Sequence, residues 1–304
     1  MYDASDPRAS LAQSAKAKPT GPFAKPQVGL FPAMPSPDSG KGYEAKFLRS
    51  QNIVVKNIEI TGDAEFTRLG QVDEYVALSL DPELHFTVSA NGQVEEFDGY
   101  TLAIIPPGDS TIKVTGRGML TLLYTTKSDD LAQLCPNNAA YAGENKVVPP
   151  FQAWPDPVGG YRIRVYSLDI PAEQGRFGRI FRCTTMMVNV LDPRHGPRDR
   201  TKISPHHHDD FEQISLALKG HFTHLLRVPW TPNMDHWRDD AQIVCPAPSA
   251  CVIPPPLIHT SLSTGADENQ LIDIFAPPRV DFSIKSGWVL NADEYPMPQK
   301  DTST

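Results

Sequence analysis

The stretch Ser204-Pro205-His206-His207-His208-Asp209-Asp210-Phe211-Glu212 gathers three imidazoles and three carboxylates within nine residues. About fifty residues later Ile253-Pro254-Pro255-Pro256-Leu257-Ile258-His259 adds another imidazole. Imidazole with carboxylate suits borderline divalent metals such as Fe, Mn, Ni, Co or Zn, whereas Ca or Mg would call for oxygen donors alone. If the first stretch is extended its side chains alternate, so His206, His208 and Glu212 share one face and His207 takes the other. His259 then completes a four-ligand set, and Gln213, directly after Glu212, is expected to point away from it. A solvated loop or an expression tag is the plainer reading of a His triplet. This one is internal, and it runs directly into Phe211 to Leu218, which alternates as a half-buried strand does.

Groups that could assist such a metal follow at once. The hairpin signalled by Lys219-Gly220 returns through His221 to Arg227, and the sequence leaves open which face of that strand is internal: Phe222, His224 and Leu226, or His221, Thr223, Leu225 and Arg227. His224 is a candidate proton partner, although a strand histidine is more often structural. Arg227 is a candidate for bidentate binding of a substrate anion, with a rim salt bridge as the equal alternative. Residues 228 to 238 carry two Trp, a His and an Arg. Trp237 and Arg238 could therefore wall a pocket, or the loop could form a subunit contact. Asp273, set between apolar neighbours, could orient a ligand histidine or pair with Arg279 or Arg227.

The elements that must position these groups are short strands. Thirty prolines in 304 residues disfavour long helices. Apolar runs of strand length alternate with breaks such as Asp81-Pro82, Asn91-Gly92 and Pro106-Pro107-Gly108, and Asn91-Gly92 is a strong hairpin signal. Only Ser128 to Leu134 suggests a short helix. An all-β chain is expected, with residues 1–44 an irregular arm, 45–125 and 161–290 two strand-rich blocks, 126–160 a linker and 291–304 a tail. The blocks repeat each other. Asp73 to Leu80 aligns with Asp209 to Leu216, and the same register carries His85-Phe86-Thr87 onto His221-Phe222-Thr223; Ile105 to Thr111 aligns with Ile253 to His259 after extra residues near Trp230 to Asp240. In this alignment His206, His208, Glu212 and His259 face Gly70, Val72, Val76 and Thr111, so the first copy lacks all four candidate ligands. Asp209 is set aside because Asp73 stands at its place.

The net charge of −8 and the lack of a basic run disfavour nucleic acid and anionic membrane surfaces. No apolar run is long enough to span a bilayer and no signal-peptide core is visible. Four scattered cysteines in a chain of this size suggest free thiols and a reducing, cytoplasmic location.

The pattern resembles the cupin superfamily. Its HxHxxxE motif with a later glycine matches His206, His208, Glu212 and Gly220, and its Pro-x-Gly-x-x-His turn matches Pro254 to His259, with Pro256 where glycine is usual. Across residues 47 to 290 the resemblance implies a bicupin: two jelly-roll barrels in tandem, the first degenerate and the second metal-binding. It further implies a divalent metal, Fe(II) favoured, whose three-His, one-Glu centre leaves two octahedral positions open for a bidentate substrate or for substrate and dioxygen. A dioxygenase of small anionic phenolic or enolic substrates leads. A redox-inert lyase, isomerase or decarboxylase and a non-catalytic metal-retaining protein remain alternatives, and a homodimer is the implied assembly.

Overall fold

β-Branched and aromatic runs cut by Gly and Pro turns give strands, and the computed structural model, which describes residues 21–299, contains twenty-one of them. The first half holds β1 (Gln27–Leu30), β2 (Asp38–Gly40), β3 (Tyr43–Arg49), β4 (Ile53–Ile60), β5 (Ala64–Gln71), β6 (Tyr75–Ser79), β7 (His85–Ala90), β8 (Gln93–Asp98), β9 (Thr101–Ile105), β10 (Gly108–Thr115) and β11 (Gly118–Thr125). After α1 (Asp129–Gln133), the helix expected near Ser128, come β12 (Arg164–Ser167), β13 (Arg179–Arg182), β14 (Met187–Val190), β15 (Arg194–His195), β16 (Glu212–Lys219), β17 (His221–Arg227), β18 (Ala241–Pro246), β19 (Ser249–Ile253), β20 (Ile258–Ser263), β21 (Glu268–Ala276) and α2 (Val280–Ser283). The fold is all-β. Residues 1–20 of the expected arm and 300–304 of the expected tail lie outside the described residues.

Each half is a pair of facing sheets. In the first, β12-β9-β6-β11-β4-β3-β2 faces β5-β10-β7-β8; in the second, β1-β19-β16-β21-β14-β13, with β15 added on β21, faces β18-β17-β20. The orders correspond strand for strand, β6 with β16, β11 with β21, β4 with β14 and β7 with β17. The place of β5 is reduced in the second half to one bridge, His206 to His259. Two edge strands are exchanged. β1, inside the segment expected to be an irregular arm, pairs with β19 of the second half, while β12 pairs with β9 of the first.

The two large sheets pack against each other through a shared apolar layer that includes Val76, Leu78, Ile104 and Leu123 from one and Ile214, Leu216, Ile272 and Ile274 from the other. Since successive strand residues point to opposite faces, residues at Gln213 parity look into the second barrel and those at Ile214 parity into this layer. Asn91 and Gly92, both at positive φ, form the two-residue turn between β7 and β8. At the corresponding place the second half has residues 228–240, the extra segment foreseen from the alignment. Gly220, at φ +79°, makes the β16–β17 turn beneath the Asn269 amide, where a Cβ would lie 2.4 Å from its Oδ1.

Candidate metal centre and cavity

His206, His208 and His259 come together. Their ligand nitrogens all lie within 4.8 Å of one another, and all three residues are buried. The imidazole centroids are 4.4 Å apart for His206 and His259, 4.8 Å for His206 and His208, and 5.1 Å for His208 and His259. Backbone pairing sets the first and last of these, because the His206 amide donates to the His259 carbonyl and the His259 amide to that of His206. The Nδ1 of His206 lies 2.8 Å from the Ser204 carbonyl and that of His259 lies 2.9 Å from the Leu257 carbonyl. A carbonyl only accepts, so each Nδ1 carries the proton and each Nε2 keeps its lone pair. That tautomer and three nearby imidazoles fit a divalent metal bound through Nε2. His208 rests against Phe211, while His207 is exposed beside Asp209.

Glu212 does not join the trio, which corrects the expected four-ligand set. Its buried carboxylate crosses to the turn between β3 and β4, where Ser50 Oγ and the Asn52 amide (2.6 Å) donate to one oxygen and the Gln51 amide (3.2 Å) to the other. Burial pushes its pKa up to about 7, partly offset by those donors. The alternation argument failed because Asp209-Asp210 is a bend and not a strand. One change of parity moves every later side chain to the opposite face. Gln213, expected to point away, accordingly lines the same cavity as His206 and His259.

Glu74 repeats the Glu212 contact from the other side. Its carboxylate accepts from the Thr184 amide (2.9 Å) and Oγ1 (2.7 Å), in the turn between β13 and β14, and from the Tyr295 hydroxyl (2.9 Å). The turns correspond. Each half thus sends one buried glutamate into the same turn of its neighbour, and burial raises the Glu74 pKa as well.

A cavity of about 510 Å³ opens beside the histidines in the second barrel. Gln213, Asp273, Phe222 and Ser261 line its interior part, and Arg176, Arg194, Arg198 and Lys202 contribute cations together with Asp192 and Asp199. Of the residues proposed from sequence to meet a substrate, Asp273 is there. It accepts from Ser215 Oγ at 2.7 Å and Gln213 Nε2 at 3.0 Å. Its suggested partners are engaged elsewhere, Arg279 with Asp281 and Arg227 with Asp240.

The other candidates do not line the cavity. On β17 the internal face is Phe222, His224 and Leu226, which leaves Arg227 outside in an exposed ion pair at 2.5 Å, the rim reading. His224 is fully buried with Nδ1 2.8 Å from Ser261 Oγ, so it supports a cavity-lining serine and does not itself face the space. Trp237 stacks on Trp230 at 4.7 Å and donates its indole N–H to the Thr231 carbonyl. Arg238 donates to the carbonyls of Phe23 and Ala24. Arg238 thus ties the 228–240 loop to the segment before β1, while the loop's tryptophans stack on each other within it, a composition that reads equally as a pocket wall. The basic groups of the cavity sit on the segment from Arg176 to Lys202, which showed no motif. Their clustering depends on pairing of β15 with β21.

No protein-family model and no curated protein matches the sequence. Among solved structures, the Lactobacillus farciminis oxalate decarboxylase, in its formate complex, is similar over 88% of both chains with a TM-score of 0.51 and 12% identity. Vicilin from Corylus avellana (hazelnut) is similar over 84% of this chain and 86% of its own, with a TM-score of 0.51 and 11% identity. At these identities the likeness is one of fold, and the fold is that of a bicupin, two jelly-roll halves in one chain. No described helix is long and apolar enough to cross a membrane.

Proposed function

We propose that this bicupin-fold chain is a metal-dependent enzyme, foremost an Fe(II) dioxygenase, acting on a small anionic phenolic or enolic substrate. The observation that carries the reading is three buried imidazoles, two with Nδ1 protons fixed by backbone carbonyls, converging beside a 510 Å³ cavity. All three are neutral donors, and the carboxylate that sequence offered to offset a dication is held 162 residues away at Ser50. An anionic substrate would supply the missing charge, and four cations share the cavity lining with three carboxylates. Three protein donors also leave half of an octahedral shell open, room for a chelating substrate and dioxygen. When bound, ferrous iron would supply the one-electron chemistry that dioxygen needs.

The chain's own residues hold and orient. Ser204 and Leu257 fix the histidine rings through their carbonyls, and Phe211 and Phe275 pack against the His208 side to exclude water. Arg198, which donates to Ser204 Oγ at 2.9 Å and to the Ser261 carbonyl at 3.1 Å, holds the loop that presents His206. Four buried thiols support a reducing, cytoplasmic setting, and a homodimer is the assembly that accompanies the family resemblance.

The test is anaerobic preparation, metal analysis, and then oxygen consumption with phenols and β-dicarbonyls. Stoichiometric iron with substrate-dependent oxygen uptake is the expected result. Turnover without uptake would replace the dioxygenase by a Lewis-acid lyase, isomerase or decarboxylase, and a bound metal with neither would leave a binding protein.

A further inference from the structure

The cavity has a long axis, and strand register gives its direction. On β20 the lining residues His259, Ser261 and Ser263 alternate along one face, and on β21 Asp273, Leu271 and Asn269 do the same. Phe275, two residues past Asp273, packs against His208 at 6.3 Å, so the histidines lie at one end. The hairpin that joins the two strands lies at the other, where the Gly265 amide donates to Asn269 Oδ1 at 3.2 Å. From His259 to Ser263 the strand advances by about 13 Å. The chain from Arg198 to His206 borders β20 over the same length, because the Arg198 amide donates to the Ser263 carbonyl and the His206 amide to that of His259.

Charge is spread unevenly along that axis. Arg194 belongs to the hairpin end, since it is paired in register with Asn269, and Lys202 sits on the bordering chain. Neither side chain makes a hydrogen bond or ion pair among the described residues. The charges around them are engaged. Arg176 donates to Glu173 and to the carbonyls of Pro171 and Gly178, Asp192 lies 3.8 Å from Arg179, and Asp199 accepts from the Thr201 amide at 2.9 Å and hydroxyl at 2.7 Å. Phe222 and Leu271 line the stretch between the histidines and this end with apolar surface, interrupted by the Asp273 carboxylate.

We propose that the substrate is an elongated molecule with a second anionic group, a carboxylate held by Arg194 and Lys202 at the hairpin end, joined by an apolar spacer to the head that chelates the metal. Two cations without partners at one end of a slot, and a metal site at the other, select a ligand charged at both ends. Asp273 sets the spacing. It lies one two-residue step, about 7 Å, from Phe275 and the histidine end, so a carboxylate set directly on a chelating ring would stand beside it and be repelled. A carboxylate on a longer arm passes Asp273 and reaches Arg194. The inference rests on the cavity being the substrate pocket of the proposed function.

The experiment titrates the zinc-loaded full chain by calorimetry at low ionic strength with caffeate, protocatechuate and the methyl ester of each. All four carry the same catechol head; the esters lack the charge, and protocatechuate lacks the arm. Wild type should prefer caffeate to its ester by about fivefold or more, the size that two exposed charge pairs reach, and protocatechuate to its ester by no more than about twofold. The double variant Arg194→Gln, Lys202→Gln should bring the caffeate ratio to within about twofold with zinc content unchanged. Equal binding of caffeate and its ester by wild type, an equally large ratio for protocatechuate, or a caffeate preference that survives in the double variant overturns the inference alone. A wild type that holds no zinc, or binds none of the four compounds, overturns the functional reading and the inference with it.

Discussion

The two halves share a frame and differ in what fills it. The first interior is one continuous apolar cluster; the second is two clusters separated by Gln213, Ser215, Asp273 and Asn189, with a cavity and three histidines at its side. What both halves keep is architectural, and the clearest case is the buried glutamate that each inserts into its neighbour's turn. Glu212 belongs to that shared architecture. Alternation puts it on the histidine face and its aligned counterpart is Val76, yet Glu74, two residues away, makes the equivalent contact in the half without histidines. Position in an alignment and role in a structure separated there by two residues.

The sharpest way to break this distinction is metal content. His206→Ala or His259→Ala should lower bound metal by more than about tenfold, measured by elemental analysis of protein loaded under reducing conditions, while Glu212→Ala folded at low temperature keeps it. Metal loss in the glutamate variant equal to that in the histidine variants would return Glu212 to the ligand set. Next in size is the paired contact between halves. Glu212→Ala and Glu74→Ala should each cost about 3 kcal/mol in urea unfolding, because each strands two or more buried donors. A large loss from one and none from the other would show that the two contacts are not equivalent.

A proton-linked effect of similar or smaller size should accompany them. The Glu212 pKa rises from an ordinary 4.5 to about 7 on folding, so between those values the folded chain binds more protons than the unfolded one. Stability contributed by this group is full at low pH, falls as pH climbs from 4.5 to about 7, and changes no further above that. Unfolding curves of wild type and Glu212→Gln, compared across pH 4 to 8, should diverge by at most about 3 kcal/mol in that direction; parallel curves would contradict it. The smallest effect is expected at Arg227. Its exposed pairing with Asp240 predicts that Arg227→Ala leaves metal content and the unfolding midpoint unchanged.

Much of the molecule was legible in sequence for local reasons. Asn91-Gly92 announces its hairpin, apolar runs announce strands, and the aligned blocks announce two similar halves. His206, His208 and His259 stood out because their types are scarce and their counterparts are not ligands. The facing of Glu212 and Gln213 was not legible, because it depends on a two-residue bend at Asp209-Asp210 that alternation passes over. The basic side of the cavity was hidden for another reason. Arg176, Arg194, Arg198 and Lys202 lie in a segment of little periodicity and meet the cavity only through long-range pairing. Arg238 and Trp237 misled in the opposite sense, since residue types that suit a pocket also suit a tryptophan stack within a loop and hydrogen bonds to the Phe23 and Ala24 carbonyls.

The strand exchange has a consequence for how the chain is made. β1 leaves the ribosome about 220 residues ahead of its partner β19, an interval of roughly 10–45 s at ordinary elongation rates. During that time four residues with two unsatisfied edges must neither pair with a neighbouring nascent chain nor add to the wrong sheet. Pro26 directly before the strand and Pro32 soon after it limit how far such a mispairing could extend. The second barrel is therefore finished with material synthesised near the beginning, and a polysome carrying many copies is where its assembly is most exposed to error.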